Sequence, residues 1–159
     1  MKYNWRKEII EEKPCTTKIF EVGAEQKTFG RTVSEAGIVI FAGMIGAVNP
    51  LFLDEEYSKA TSFGRRIAPG LLTLSIATGL TYQLPTSPFG EGFVALLGMT
   101  FKALKPVFAG DTLTVRAKVK EKQPPKDNRG RVVLVSEVFN QKTGTVMLVE
   151  GNFLVRQRK

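Results

Sequence analysis

The chain has 159 residues, of which 43% are hydrophobic and 24% charged, and its formal net charge is +8. A chain of this length fits one domain with a buried core, and the composition is that of an ordinary globular protein rather than a disordered one. Cys15 is the only cysteine and histidine is absent, which excludes an intrachain disulfide, a cysteine-rich metal site and every catalytic pair that uses imidazole.

The charge pattern bears on location and partners. No apolar run approaches the roughly 18 residues that a membrane-spanning helix needs, and residues 1–14 alternate charges instead of forming the apolar segment of a secretory signal. We therefore expect a cytoplasmic protein. The basic residues suit a nucleotide-linked ligand or plain surface ion pairing, but they are spread along the chain without interleaved aromatic residues, so we expect neither a nucleic-acid partner nor a membrane.

The first third of the chain predicts one short strand and one short helix. Residues 1–26 show weak periodicity and are expected to lie at the periphery, followed by a short strand between Lys27 and Val33. Ser34 can cap a helix, and the apolar spacing after it predicts a short amphipathic helix that ends near Gly46.

A turn and two further helices follow. Asn49-Pro50 predicts a turn, because the residue before proline avoids the helical region. Residues 54–61 predict a short helical turn. Residues 71–84 are apolar on nearly every side, which predicts a central helix of about 15 residues that is surrounded by protein.

The second half predicts antiparallel strands. Apolar and polar residues alternate from Thr112 to Lys120, which gives one buried and one solvated face. Turn-forming stretches separate the predicted strands at residues 124–130 and 140–144. The strands are expected at residues 93–104, 112–120, 131–139 and 145–155. These elements predict an α+β domain in which a curved sheet wraps a helix, although periodicity alone leaves other α+β folds open.

A motif between Phe41 and Gly70 carries a resemblance to a known family. It comprises a helix-ending glycine, an Asn-Pro pair, an acidic residue, a tyrosine, a Phe-Gly turn and a helix-opening glycine, at Gly46, Asn49, Pro50, Asp54, Tyr57, Phe63, Gly64, Ile67 and Gly70. A Gly110-Asp111 turn extends the match to about residues 20–156. On these residues the chain resembles the MaoC-like (R)-specific enoyl-CoA hydratases and 3-hydroxyacyl thioester dehydratases. The resemblance implies a single hotdog domain over residues 1–159, with an antiparallel sheet wrapped around a long central helix.

The chain departs from the family at the positions that carry catalysis. The family's catalytic aspartate falls on Ala47, its catalytic histidine on Phe52, and the histidine before the helix-opening glycine on Pro69. Such a pair would hold a water, remove its proton for attack at the β-carbon of an enoyl thioester and return a proton at the α-carbon. Alanine and phenylalanine can neither orient a water nor transfer a proton. The resemblance therefore assigns no catalytic residue and does not carry the hydratase activity over to this chain.

Thioester binding remains as the expected function of the motif. Gly70 and Leu71 would offer backbone N–H groups and the positive end of the helix dipole to a thioester carbonyl. Asn49 would bind at the floor of the pocket, and Thr78 would place a hydroxyl near the substrate. The structural alternatives are a tight turn after Pro69 for Gly70, an Asn-Pro turn for Asn49, and a helix threonine bonded to its own backbone for Thr78.

Other groups near the motif leave alternatives open. Phe52 either plugs the site or widens an apolar acyl pocket. The acidic run Asp54, Glu55 and Glu56 could activate a water, but such a run is also typical of a solvated helix start. Cys15 has no histidine to activate it as a nucleophile.

The expected ligand is an acyl-CoA or acyl-carrier thioester, with no other cofactor and no metal. Two other functions stay open: a non-catalytic subunit of a heteromeric hydratase, paired with a hotdog chain that bears the catalytic pair, or an acyl-CoA-binding or thioesterase-like hotdog protein. Because a single hotdog leaves a sheet edge open, we expect a homodimer or a higher even multimer.

Overall fold

The computed structural model of the protein describes residues 21–84, 92–126 and 129–156. Helices occupy the first half of the chain and long strands the second, as the sequence predicts. The helices are α1 Glu35–Ile45, α2 Pro50–Leu53, α3 Glu55–Lys59 and α4 Gly70–Tyr82, and the strands are β1 Glu25–Lys27, β2 Arg31–Thr32, β3 Phe93–Ala103, β4 Thr112–Lys126, β5 Arg129–Asn140 and β6 Gly144–Arg156. Residues 1–20 of the predicted peripheral segment, with Cys15, lie outside the described residues.

Helix α1 begins and ends where its capping residues are. The Ser34 side chain accepts a hydrogen bond from the Gly37 N–H at 3.0 Å. Gly46 follows the last turn with φ of 70°, a left-handed conformation that glycine adopts without strain, and its N–H reaches the carbonyls of Ala42 and Gly43. The predicted bounds of this helix are confirmed.

The strands form one antiparallel sheet in the order β1-β4-β5-β6-β3, with β2 pairing β4. The alternation predicted for β4 is confirmed, because Leu113, Val115, Ala117 and Val119 are all buried. The turn predicted over residues 124–130 is too long: β4 continues to Lys126, which pairs with Arg129. Cross-strand pairing extends the two arms of this hairpin into residues whose composition favours a turn.

Helix α4 lies on one face of the sheet. Leu72, Ile76, Ala77 and Leu80 are buried in a cluster with residues of β4, β5 and β6. The helix has 13 residues, and the prediction that it is surrounded by protein is wrong for the single chain, because Leu71 is 49% exposed and Tyr82 48%. Parts of α4 therefore stay at the surface of the single chain.

The predicted α+β arrangement of antiparallel sheet and central helix is confirmed. No helix among the described residues is long and apolar enough to cross a membrane.

Candidate functional site

The segment from α1 to α4 is held against the rest of the molecule by backbone contacts. Ala47 directly follows α1 and is half-buried, and its N–H donates to the Ala42 carbonyl at 2.9 Å. The Ile67 N–H donates to the Leu51 carbonyl at 3.3 Å, and the Ala68 N–H donates to the Val107 carbonyl at 2.7 Å. The first bond is local to the end of α1, the second joins α2 to the residues that lead into α4, and the third joins those residues to the segment before β4.

Asn49 acts as a helix cap. Its side-chain oxygen accepts a hydrogen bond from the Leu51 N–H at 2.9 Å, and the residue is exposed. This is the Asx geometry expected of an Asn-Pro turn. The side-chain oxygen of Asn49 is therefore used by the backbone, while its NH₂ group can donate to a ligand.

Phe52 belongs to the hydrophobic core. Its half-buried ring packs against the cluster that contains Leu72 and Ile76 of α4. The place that the resemblance gives to a polar histidine ring is therefore occupied by an apolar ring that packs against the core.

Gly70 opens α4 with its backbone exposed. Pro69 precedes it without a side-chain cap, and the Pro69 carbonyl accepts from the N–H groups of Leu72 at 2.9 Å and Thr73 at 3.2 Å. The first N–H groups of an α-helix, here those of Gly70 and Leu71, have no acceptor within the helix. They form a small patch of positive potential at the helix end.

Neither packing nor backbone conformation requires glycine at position 70. The φ of Gly70 is not positive, unlike that of Gly46 or Gly64. A Cβ atom built on Gly70 would lie 4.0 Å from Cε2 of Phe101, an ordinary van der Waals distance. The tight-turn explanation of this glycine therefore finds no support in the geometry.

Thr78 lies apart from this helix end. Its hydroxyl donates to the Leu74 carbonyl at 2.9 Å and lies 3.8 Å from Sδ of Met99. It borders a cavity of about 20 Å³ beneath α4, which Met99 and Phe153 also line. At about 1.5 Å per residue, Thr78 is about 12 Å further along the helix axis than Gly70.

The three acidic residues after α2 all serve local structure. Oδ1 of Asp54 accepts from the Tyr57 N–H at 2.9 Å and caps α3. Glu55 pairs with Nε of Arg66 at 3.1 Å, and Glu56 pairs with Nζ of Lys59 at 2.7 Å. The geometry matches the helix-start interpretation of this run. In the described ranges, no group of three or more His, Cys, Asp or Glu residues is placed to hold a metal ion.

Arg66 and Phe101 were not predicted from the sequence. Arg66 forms ion pairs with Glu35 and with Glu55, so it connects α1 and α3 to the segment before α4. Phe101, on β3, is the side chain nearest to Gly70. No local sequence pattern indicates either residue, because their partners are distant in the sequence.

Comparisons with known proteins identify the family. A family model described as "MaoC like domain" matches residues 19–141. The chain is 30% identical over 137 residues to the (R)-specific enoyl-CoA hydratase of Aeromonas caviae, covering 86% of this chain and 94% of that one.

Solved structures agree with this result. The structure of a monoamine oxidase regulatory protein from Archaeoglobus superposes with a TM-score of 0.83 at 34% identity, over 92% of this chain and 97% of the other. A Mycobacterium tuberculosis protein with a double hotdog fold is similar in fold, with a TM-score of 0.70 at 21% identity over 84% of this chain and 39% of the other. The hotdog fold is thereby confirmed, and the chain belongs to the MaoC-like dehydratase family, with (R)-specific enoyl-CoA hydratases among its homologues.

Proposed function

We propose that the protein binds an acyl thioester, carried by coenzyme A or by a carrier protein, at the N-terminal end of α4. The thioester carbonyl oxygen would accept hydrogen bonds from the Gly70 and Leu71 N–H groups. The acyl chain would then lie against apolar surface, where Leu71 and Phe101 are 49% and 42% exposed. The name of the Aeromonas relative, an enoyl-CoA hydratase, supports this ligand class.

The observation that carries the proposal is Gly70 itself. The φ of Gly70 is not positive, and a Cβ atom there would meet only an ordinary contact. The absence of a side chain at position 70 leaves the first N–H groups of α4 open to the close approach of a ligand.

We propose further that the protein does not perform standard enoyl thioester hydration on its own. Ala47 and Phe52 place hydrocarbon where the family's acid and base would stand, and Phe52 is packed against the core. The acidic side chains nearest in sequence are engaged in a helix cap and in ion pairs with Arg66 and Lys59. No metal or prosthetic group enters this proposal.

Calorimetric titration with acyl-CoA species of increasing chain length tests binding. We expect at least one species to bind the wild type, and Gly70→Val to raise its dissociation constant by about tenfold or more, because the branched side chain blocks the helix end. The matched control is Gly79→Ala on the same helix, where nothing lies within 4 Å of the added Cβ, and its affinity should equal that of wild type. The absence of binding at every chain length, or equal affinities in a folded Gly70→Val variant, would contradict the proposal.

Hydration of crotonyl-CoA tests the absence of standard chemistry. The wild type should match the rate without enzyme, and the double variant Ala47→Asp with Phe52→His should exceed it, because the pair can orient and deprotonate water. Wild-type turnover well above the uncatalysed rate would contradict the claim. If the folded double variant does not exceed the uncatalysed rate, then this chain differs from the active hydratases at more positions than Ala47 and Phe52.

The second candidate is a non-catalytic subunit that pairs with a hotdog chain bearing the catalytic residues. It is favoured by the terminal position of β3, which pairs only with β6 in the described sheet and leaves one edge open. Such an edge can accept another copy or a related chain. Mixing the protein with the Aeromonas hydratase and measuring mass by native mass spectrometry would detect a mixed dimer, and recovery of separate homo-oligomers would count against this candidate.

A further inference from the structure

A cavity of about 220 Å³ lies between the start of α1, helix α3 and the residues that lead into α4. Its lining combines two acidic, two basic and two apolar residues: Glu35, Ile38, Glu55, Arg65, Arg66 and Ala109. We refer to it as the Arg65 cavity. Arg65 precedes Gly70 by five residues. Because an extended chain spans at most about 3.6 Å per residue, the Cα atoms of Arg65 and Gly70 are no more than about 18 Å apart.

Both carboxylates of the Arg65 cavity are engaged by Arg66. The Arg66 side chain is 20% exposed, pairs with Glu35, and places its Nε 3.1 Å from Oε2 of Glu55. The positive and negative charges that line the cavity are equal in number, so net charge alone does not select a ligand here. The selection depends instead on which hydrogen-bond donors and acceptors a ligand can still reach.

Arg65 keeps its N–H groups available to a ligand. Its guanidinium carbon lies 4.1 Å from the centroid of the Phe108 ring. In residues 21–84, 92–126 and 129–156, no carboxylate forms an ion pair with Arg65. Stacking on a ring occupies the face of a guanidinium and leaves the N–H donors at its edge. Arg65 is exposed, so a ligand in solution can reach these donors.

The ring under Arg65 is attached to the residues directly before α4. The Ala68 N–H donates to the Val107 carbonyl at 2.7 Å, and Phe108 is the next residue. The Phe108 N–H donates in turn to Oδ2 of Asp111 at 2.9 Å, and Asp111 is only 1% exposed. The guanidinium is therefore positioned relative to the start of α4 before any ligand arrives, which lowers the entropic cost of binding.

This geometry suits a phosphate group. A planar guanidinium with free edges binds a phosphate through parallel, charge-assisted hydrogen bonds. Sites for drug-sized ligands are usually about 300–1,000 Å³ in volume, so the smaller Arg65 cavity suits one charged group better than a whole nucleotide. Coenzyme A and carrier proteins both hold an acyl thioester on a phosphopantetheine arm, which ends in a phosphate and is comparable in length to a five-residue extended peptide.

We propose that Arg65 binds the phosphate of the phosphopantetheine arm while the thioester carbonyl binds at Gly70. The acyl end of the ligand then contacts the start of α4, and the carrier end contacts the guanidinium over Phe108. The inference rests on the proposed function, because the thioester at Gly70 brings the phosphate to the Arg65 cavity. It applies to both carriers, since the phosphate is the group that they share.

Titration of paired ligands by calorimetry tests the inference. One ligand is the acyl-CoA that binds the wild type most tightly, and the other is the pantetheine thioester of the same acyl group, which has no phosphate. Arg65→Gln should raise the dissociation constant of the acyl-CoA by about tenfold and leave that of the pantetheine thioester unchanged. Arg65→Lys keeps the charge but loses the planar fork, so its affinity for the acyl-CoA should be intermediate.

The matched control is Arg129→Gln, which removes the same charge at the first residue of β5, and both of its affinities should equal those of wild type. Gly70→Val should weaken both ligands. If Gly70→Val weakens both and a folded Arg65→Gln weakens neither, the thioester site stands and this inference is overturned. Equal weakening of both ligands by Arg65→Gln also overturns it, because Arg65 would then act without contacting a phosphate. The absence of any thioester binding to the wild type overturns both proposals.

Two further ligands identify the phosphate and its source. Acyl-phosphopantetheine carries one phosphate and no nucleotide, and Arg65→Gln should weaken its binding as it weakens that of acyl-CoA. A loss that is confined to acyl-CoA overturns the assignment, because the nucleotide would then be the contact. An acylated carrier protein replaces acyl-CoA in a parallel titration. A loss of affinity in Arg65→Gln for this protein supports the inference and identifies the carrier as a second source of the phosphate.

Discussion

Gly151 shows how a single missing side chain shapes the interior under α4. The residue is buried on β6, and a Cβ atom built there would lie 2.6 Å from Cζ and 2.7 Å from Cε2 of Phe153. Phe153 is itself only 2% exposed and packs in a core cluster with Phe93 and Met99, so its ring has little room to move. The ring therefore occupies the space that the side chain of any residue other than glycine would need at position 151.

We predict that Gly151→Ala lowers the free energy of unfolding by about 1–3 kcal/mol, the usual cost of overpacking a core. Denaturant unfolding followed by circular dichroism measures it. The control Gly79→Ala adds the same methyl group at a helical position with nothing within 4 Å, and it should leave stability unchanged or raise it by up to about 1 kcal/mol. Adding Phe153→Leu to Gly151→Ala should recover part of the loss, and no recovery would mean that the ring is not the obstacle.

Arg66 connects secondary structure elements that the chain does not otherwise join closely. Its side chain is 20% exposed and pairs with Glu35 at the start of α1 and with Glu55 in α3. Shared pairing with two carboxylates restrains the guanidinium more than a lone surface pair does. The orientation of α1, and with it the position of Ala47, therefore depends on a residue that lies next to neither in sequence.

We expect Arg66→Met to lower the free energy of unfolding by only about 1 kcal/mol, because solvent screens the two substantially exposed carboxylates. Thermal unfolding at low and high salt measures it, and the difference from wild type should shrink at high salt. The comparison variant Lys59→Met breaks the Glu56 pair, whose side chains are 55% and 84% exposed, and should cost nothing measurable. Equal effects of the two substitutions would contradict a connecting role for Arg66.

The open edge of β3 concerns the whole molecule. β3 has 11 residues, is mostly apolar and carries Leu96 and Leu97 at 49% and 54% exposure. A long apolar edge strand is a template for pairing with another chain unless charge or proline blunts it. In the described strand only Lys102 is charged, which favours assembly through this edge.

We predict that Leu97→Lys reduces the mass in solution by a factor of about two, because a charged side chain at the edge opposes strand pairing. Analytical ultracentrifugation gives the mass. Leu148→Lys is the matched control, since Leu148 is 41% exposed but lies on β6, which has neighbours on both sides. A mass that is unchanged in Leu97→Lys, or reduced equally in both variants, would argue against assembly through the β3 edge.

The sequence by itself determined what depends on near neighbours. Ser34 and Gly46 set the start and the end of α1, because capping is a hydrogen-bonding requirement between near neighbours. The alternation through Leu113 and Val115 predicts a strand with one buried face. The motif between Phe41 and Gly70 added the hotdog arrangement, because the spacing of its glycines and of its Asn-Pro pair is similar to that of the MaoC-like family.

Only the tertiary structure decided what depends on contacts between distant residues. It packed Phe52 against the hydrophobic core, joined Arg66 to Glu35, and left Leu71 at the surface. Residue spacing records local hydrogen bonds and the face of each element, but packing partners follow from how the elements come together.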